Sequence, residues 1–437
     1  MPAISRPLRL GLVSAAMAPL LGVAACSGSG TNAPSSSGAL GGGSSATSDS
    51  RSASDVVTDY LGYVGGKAGK ADAGLDPVAL GWVNVEGGPG GNPEATLGAR
   101  AAVKYVNDRL GGIGGHPLKL NVCTVVSAEE EGQKCGQQLL GDKEISAIGV
   151  GNLYLGDASF NSVIAGKKPV LVGVATGPTM PTAKNTFSTF GDLPHIFGTW
   201  GTYARDVLKA KTAAVIHTST PGDKIASGAA VKGLKAAGLK VKSVGFDAQS
   251  TDLIGPVTAA GANTADVVVP ISIGGGCVGI AKALKQLNVT KPVVSTPLCM
   301  SPDVAQGLGG DLPTWTYGVA QTLPMDSSAA DSKAFLKASA QAGLGNGDQS
   351  KVFAPLGWST ILTYAKVLNA ISPDKITPAS VTEQLKKFPG PVIMGAAEVE
   401  CGKYPDAPAV CNDQARFYQY EGKGEFKPLT DWIRPPQ

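Results

Sequence analysis

From residue 78 onward, short continuous apolar runs alternate with segments whose apolar positions recur every three or four residues. The run Val78-Ala-Leu-Gly-Trp-Val83 has no polar interruption and stops at a Gly/Pro-rich loop spanning 86–93. That is the pattern of a strand buried on both faces. Leu97, Ala101, Ala102, Tyr105 and Val106 then fall at helical spacing across 94–109, and Leu110-Gly-Gly-Ile-Gly-Gly115 stops the helix. The alternation continues with strand 118–122, helix 128–140, strand 147–150, helix 158–165 and strand 169–174. A second series begins near Phe197: helix 202–208, strand 213–217, helix 225–237, strands 240–246 and 266–272, helix 278–287 and strand 292–296. Helical patterns over 329–342, 356–371 and 377–388 follow, and the chain ends in short strands that include 415–420. Ahead of all this, Val57, Tyr60, Leu61 and Val64 are spaced for a short helix in 55–64 with Ser54 as its cap. Strands alternating with helices predict two α/β domains with parallel sheets, and the late helices predict a chain that crosses between them more than once. Ligands in such sheets sit beyond the carboxyl ends of the strands, so two facing domains imply a cleft.

The amino-terminal region follows a different rule. Arg6 and Arg9 precede an apolar stretch over 10–25, the charged-then-apolar order of a secretory signal. Residues 27–54 are almost entirely Ser, Gly, Ala and Thr, with no apolar surface to offset the entropy of ordering. They read as a flexible tether with an end-to-end distance of roughly 30 Å.

Composition narrows the function. The 437 residues carry 37 Lys+Arg against 34 Asp+Glu, too balanced for a dedicated nucleic-acid binder. A hydrophobic share of 43% permits a large core, and no apolar run beyond the amino terminus approaches the roughly 20 residues of a membrane-spanning helix. Of seven cysteines, Cys26 stands alone and six form three sequence-local couples: Cys123 with Cys135, Cys277 with Cys299, and Cys401 with Cys411. Outside the cytoplasm an even set suggests disulfides. Six cysteines allow 15 connectivities; the local one is chosen because short loops close easily, and free buried thiols are the other reading. No couple has C-x-x-C spacing or a neighbouring His, which argues against zinc.

Two catalytic signatures are incomplete. Gly274-Gly-Gly-Cys-Val-Gly279 fits G-x-G-x-x-G between a strand and a helix, but no acid for a ribose follows the next strand at Thr296-Pro-Leu-Cys299, so a ligand-lining loop is the better reading. His116, His195 and His217 lie in separate elements without a nucleophile signature, so a hydrolase triad is not supported.

Val23-Ala-Ala-Cys26 resembles the lipobox of bacterial lipoproteins, in which the signal is cut before the cysteine and Cys26 is acylated; an ordinary signal peptide with an incidental cysteine is the alternative. Gly98-Ala-Arg-Ala-Ala-Val-Lys-Tyr-Val-Asn107, the turn through Leu118, Ala147-Ile-Gly-Val-Gly151, Pro169-Val-Leu-Val-Gly-Val-Ala-Thr-Gly-Pro178 and the closing Ala415–Pro428 stretch resemble bacterial branched-chain amino acid-type substrate-binding proteins of ABC importers. The resemblance covers roughly 76–437. It implies two Rossmann-like α/β lobes joined by a three-stranded hinge: 76–197 with 323–412, and 198–322 with 413–437, after a signal (1–25), a tether (26–54) and an extension (55–75). It further implies a monomeric, non-enzymatic receptor without cofactor or metal, lipid-anchored on the extracytoplasmic face of the membrane, that delivers a small solute to an ABC permease. A same-fold sensor that signals to a membrane partner is the alternative.

In amino acid-binding members of that family a hydroxyl-bearing first-lobe segment takes the ligand carboxylate and a second-lobe acid takes the ammonium. Ala175-Thr-Gly-Pro178 matches the first segment, which selects Thr176 and Gly177. The chain departs elsewhere: Asn152-Leu-Tyr-Leu155 replaces a small hydroxyl run, the stacking tyrosine near Thr220-Pro-Gly222 is missing, and Pro297-Leu-Cys-Met300 lacks the acid. A buried zwitterion needs both charges satisfied. The expected ligand is therefore not a standard α-amino acid. Its contacts are expected from Glu86, Asn152, Tyr154, Thr176, Gly177, Trp200, Thr220, Gly274 and Met300, with Glu86 placed to meet a cationic or hydroxylated group. Trp82, although aromatic, reads more as core than as contact.

Overall fold

The computed structural model describes residues 56–436 apart from residue 89. The signal, the tether, Cys26 and the Ser54 cap lie outside the described residues. A short helix α1 (Tyr60–Val64) leads into β1 (Val78–Val85), α2 (Pro93–Arg109), β2 (Leu118–Val125), α3 (Glu129–Gly141), β3 (Ile145–Val150), α4 (Asp157–Ile164), β4 (Val170–Val172) and β5 (Thr186–Ser188). The second series runs α5 (Leu193–Thr202), β6 (Thr212–Thr218), α6 (Pro221–Ala236), β7 (Lys240–Phe246), α7 (Ile254–Ala260), β8 (Val267–Ile271), α8 (Gly274–Gln286), β9 (Val294–Ser295), α9 (Pro302–Gly307) and β10 (Thr316–Val319). Then come α10 (Ala330–Gln341), α11 (Asn346–Gln349), α12 (Ala354–Asn369), α13 (Pro378–Lys386), β11 (Arg416–Gly422) and β12 (Glu425–Pro428).

The first sheet has the order β2-β1-β3-β4-β5, all parallel. Its strands are buried on both faces, as their unbroken apolar runs require. Leu80, Trp82, Ala147 and Leu171 face α2 and α12, while Ala79, Val83, Ile148 and Val150 face the side packed by Leu139 of α3 and Phe160 of α4. The second sheet repeats the winding as β7-β6-β8, continues through a parallel Val268–Val293 bridge to β9 and β10, and ends in antiparallel β11 and β12. Its two cores hold Val215, Val267 and Val269 on one face and Ala214, Ile216 and Val268 on the other.

The chain passes between these lobes three times: after β5, after β10, and before β11. The first and third passages pair with each other, since Ser188 N donates to Ala409 O (2.7 Å) and Cys411 N to Ser188 O (3.0 Å). In the second, Gln321 Nε2 donates to Val352 O (2.6 Å), and Val352 packs against the cores of both lobes. All three passages leave or enter at the carboxyl edges of the parallel strands. Those edges therefore face one another across the hinge.

Several boundaries differ from the sequence expectation. The first helix is Tyr60–Val64, capped by Asp59, whose Oδ1 accepts from Gly62 N (3.1 Å). Its Tyr60, Tyr63 and Val64 are buried in the first lobe, as is Val57. The helix expected at 202–208 begins at Leu193 with Asp192 as its cap, and 203–207 is a π-helical turn. Strand β5, helix α7 and strand β10 have no counterpart in the sequence pattern. All three local cysteine couples are joined as disulfides. Among the described residues no helix is long and apolar enough to cross a membrane, and no group of three or more His, Cys, Asp or Glu could hold a metal ion.

Candidate ligand-binding site

Each sheet reverses its winding direction once, between β1 and β3 in the first lobe and between β6 and β8 in the second. Crevices at such reversals, beyond the strand carboxyl ends, are where open α/β sheets bind ligands. Glu86 follows β1, Asn152 and Tyr154 follow β3, and Thr176 and Gly177 follow β4. Across the hinge Thr220 follows β6 and Gly274 opens α8 after β8. Seven of the nine residues read from sequence thus lie on the two facing rims.

The first rim is a continuous hydrogen-bond network. Trp82 Nε1 donates to Thr96 Oγ1 (2.8 Å), and Asn84 Nδ2 donates to the same oxygen (3.2 Å) and to Asn92 O (2.8 Å). Thr96 Oγ1 donates to Glu86 Oε1. Asn152 N donates to Asn84 Oδ1 (2.9 Å), its Nδ2 to Asn92 Oδ1, and its Oδ1 accepts from Thr176 Oγ1 (2.6 Å). Trp82, Asn84, Asn92, Thr96 and Asn152 are buried, whereas Glu86 and Thr176 are half-buried. Tyr154, also half-buried, lies with its hydroxyl so close to Gly90 that a β-carbon there would collide with it. Burial pushes its phenol above the ordinary value. Gly177 lies directly over the Asp157 carboxylate, which accepts from Thr179 N and Oγ1 (both 2.7 Å) and from Asn161 Nδ2 (2.9 Å). Burial raises the Asp157 carboxyl even against those bonds, and its partners take up its acceptor capacity.

The second rim is built differently. Thr220 caps α6 and, with Thr218, donates to Asp223; burial pushes that carboxyl up to about 6 against the Thr220 bond and the nearby His217. Gly274, Gly275 and Gly276 form the uncapped first turn of α8, and Gly274 takes a positive φ of 46° that a side chain would disfavour. Beneath this turn the hydroxyls of Ser272 and, at the end of β9, Thr296 are buried without a hydrogen-bond partner. The Cys277–Cys299 disulfide ties the two loops together.

Two expected contacts are elsewhere. Trp200 sits within α5, 2% exposed, edge-on to Phe197 (4.7 Å) and Phe417 (6.3 Å), in the core of the second lobe. It fills the space over Gly318, where a β-carbon would strike its Nε1. Met300, 8% exposed, borders a cavity of about 370 Å³ with Asp311, Tyr420 and Lys423. That cavity lies near the β11–β12 turn, toward the amino end of β10 and away from the cleft. Asn84, Asn92 and Thr96 were missed in the sequence reading. The available signal was Asn84, a polar residue inside an otherwise apolar strand.

At the hinge, Asp192 accepts from His195 N (2.9 Å) and meets its Nδ1 (2.6 Å), and the His195 ring lies 4.0 Å from that of Tyr404. Asp413, on the third passage, pairs with Lys403 (2.8 Å) and with Arg434. Burial works to raise its carboxyl, but hydrogen bonds from Lys403 and Tyr404 and the Arg434 charge outweigh it and hold it below the ordinary range.

The comparisons with known proteins agree with this architecture. The periplasmic binding protein family profile matches residues 77–410. No curated protein matches the sequence. Among solved structures, a branched-chain amino acid ABC transporter protein from Thermus thermophilus with bound valine aligns at TM-score 0.68 and 14% identity, covering 84% of this chain and 97% of its own. A solute-binding protein of an ABC transporter from Rhodopseudomonas palustris HaA2, in complex with p-hydroxybenzoic acid, aligns at 0.65 and 16%, covering 83% and 98%. A leucine-binding protein from Thermotoga maritima aligns at 0.64 and 14%, covering 83% and 99%. At these identities the structures establish a shared fold. With its two wound sheets, triple hinge and matched profile, the chain belongs to the periplasmic binding protein family, whose members bind solutes.

Proposed function

We propose that the protein is an extracytoplasmic receptor, anchored through acylated Cys26, that captures a small solute between its lobes and delivers it to an ABC importer. The observation that carries this reading is the pair of winding reversals facing each other across a three-stranded hinge, one lined by an ordered polar network. Lobe boundaries near 76–197 with 323–412, and 198–322 with 413–437, fit that arrangement. Glu86, Asn152, Tyr154, Thr176 and Gly177 would contact the solute from one side, Thr220 and Gly274 from the other. Closure is then a hinge motion in which bound solute favours the state that both rims touch. The valine and p-hydroxybenzoate carried by structural neighbours support a small-molecule cargo.

The test is a thermal-shift screen against amino acids, aromatic acids, sugars, polyols and organic cations, with small-angle scattering on every hit. A solute at 100 times its dissociation constant should stabilise the native state by about 2.7 kcal/mol, and the closed form should be more compact. A stabilising solute that leaves the radius of gyration unchanged would overturn capture by closure.

A further inference from the structure

This inference rests on the receptor reading and deepens it to a ligand class. The proton positions in the first rim follow from chemistry. An indole N–H can only donate. The Asn84 amide is fixed in orientation, because its Oδ1 must face the Asn152 N–H and its Nδ2 the Asn92 carbonyl. Both lone pairs of Thr96 Oγ1 are thus filled by obligate donors, Trp82 Nε1 and Asn84 Nδ2. A hydroxyl has one proton, and here it must point to Glu86 Oε1. Glu86 is therefore held as an acceptor, with one protein donor on one oxygen. Its remaining acceptor capacity stands at a half-buried position on the cleft rim.

The first rim adds no cation; on the second, His217 near the end of β6 lies beside Asp223. The segments after β1, β3 and β4 (86–92, 151–156, 173–179) and after β6, β8 and β9 (219–223, 272–276, 296–299) contain Glu86 and Asp223 but no Lys, Arg or His. Of the basic groups at the hinge, His195 is engaged with Asp192, and Lys403 and Arg434 with Asp413, while Arg416 donates to Thr322 Oγ1 and Thr430 O and lies over the Tyr418 and Trp432 rings. A ligand carboxylate at the first rim would meet a like charge and no counter-ion, which is prohibitively costly once the cleft closes. Opposite, the uncapped first turn of α8 offers backbone N–H donors. Acceptors on one rim and donors on the other suit a group that does both, which is the hydroxyl. The half-buried Tyr154 ring beside the Glu86 loop supplies an apolar face for the C–H surface between hydroxyls. We infer that the ligand is a neutral polyhydroxylated solute, bound through donation of its hydroxyls to Glu86, and that it carries no carboxylate.

The experiment is calorimetric titration of the full chain in mild detergent with three arms: neutral polyols and monosaccharides (inositol, ribose, glucose), organic cations (choline, putrescine), and carboxylates (valine, p-hydroxybenzoate). The expected result is binding in the first arm, weakened roughly ten- to hundred-fold by Glu86→Gln. Thr176→Val, which leaves Glu86 and its donor in place, gives an independent loss if the wild-type fold is retained by circular dichroism. Binding confined to carboxylates or to cations overturns the assignment while leaving the receptor reading intact. Polyol binding indifferent to Glu86→Gln also overturns it. Silence in all three arms counts against the receptor reading itself, and the inference falls with it.

Discussion

The two rims of the cleft occupy equivalent places in two similarly wound sheets, yet they are built by opposite means. On the first, each buried polar side chain finds a partner, and side chains from β1, α2, β3 and the loop after β4 interlock. On the second, glycines and a disulfide hold the backbone, and the hydroxyls of Ser272 and Thr296 are left without partners. The first rim is thus ordered by its own hydrogen bonds. The second keeps unspent hydrogen-bonding groups beneath a loop with little side-chain bulk. In the receptor proposed above, recognition would be divided between an interlocked polar rim and a glycine-lined one, with orientation set by the former.

The strongest way to break this comparison is to cut the covalent tie on the second rim. Cys277→Ser with Cys299→Ser opens a 22-residue loop and should cost about 3 kcal/mol in denaturant unfolding. A smaller cost with unchanged ligand affinity would mean that the second rim holds its shape without the tie. On the first rim, Thr96→Val removes the acceptor shared by Trp82 and Asn84 and leaves buried donors unsatisfied, for a loss of about 2 kcal/mol. Chemical denaturation of that variant measures how much the network contributes.

Asp223 gives a pH signature specific to the second rim. Its folded value of about 6 lies above its ordinary 3.8, so between these values the folded chain holds the proton that the unfolded chain has released. Stability from this group therefore falls as pH rises through that window, and Asp223→Asn should flatten the slope of melting temperature there. The smallest expected effect is Ser272→Ala. A hydroxyl with no partner can be removed at almost no cost, so a change beyond about 0.5 kcal/mol would show that it has one.

The long elements were legible in the sequence because burial imposes periodicity. The spacing of Leu97 to Val106 places α2, and the unbroken apolar runs place β1, β3 and β8. Strands β5 and β10 have three and four residues, too few to carry a period, and tertiary pairing defines them. The misplacement of Trp200 has a specific cause. The expected helix starts at 202 and leaves Trp200 outside it, whereas Pro194 lies in the first turn of α5 and Gly201 lets that helix run against Gly233 of α6, where any β-carbon would strike backbone. Of the site, the rim residues were legible because topology alone puts them past strand ends. The supporting layer of Asn84, Asn92 and Thr96 was not, because its partners are brought together only by the parallel register of β1 and β3 and the return of α2.

The docking of the first described residues has a mechanical consequence. Tyr60 lies between Tyr105 of α2 and Trp358 of α12, Tyr63 Oη reaches Thr363 Oγ1 (3.3 Å) and Pro391 O (3.1 Å), and Lys366 Nζ donates to Tyr63 O (3.2 Å). The chain is therefore clamped to the first lobe before it enters β1. A tether acting along the amino-terminal end would therefore load that lobe first. In the anchored receptor proposed above, the lobe that carries the ordered network would be the stationary jaw, and the lobe with the glycine loop the one that swings.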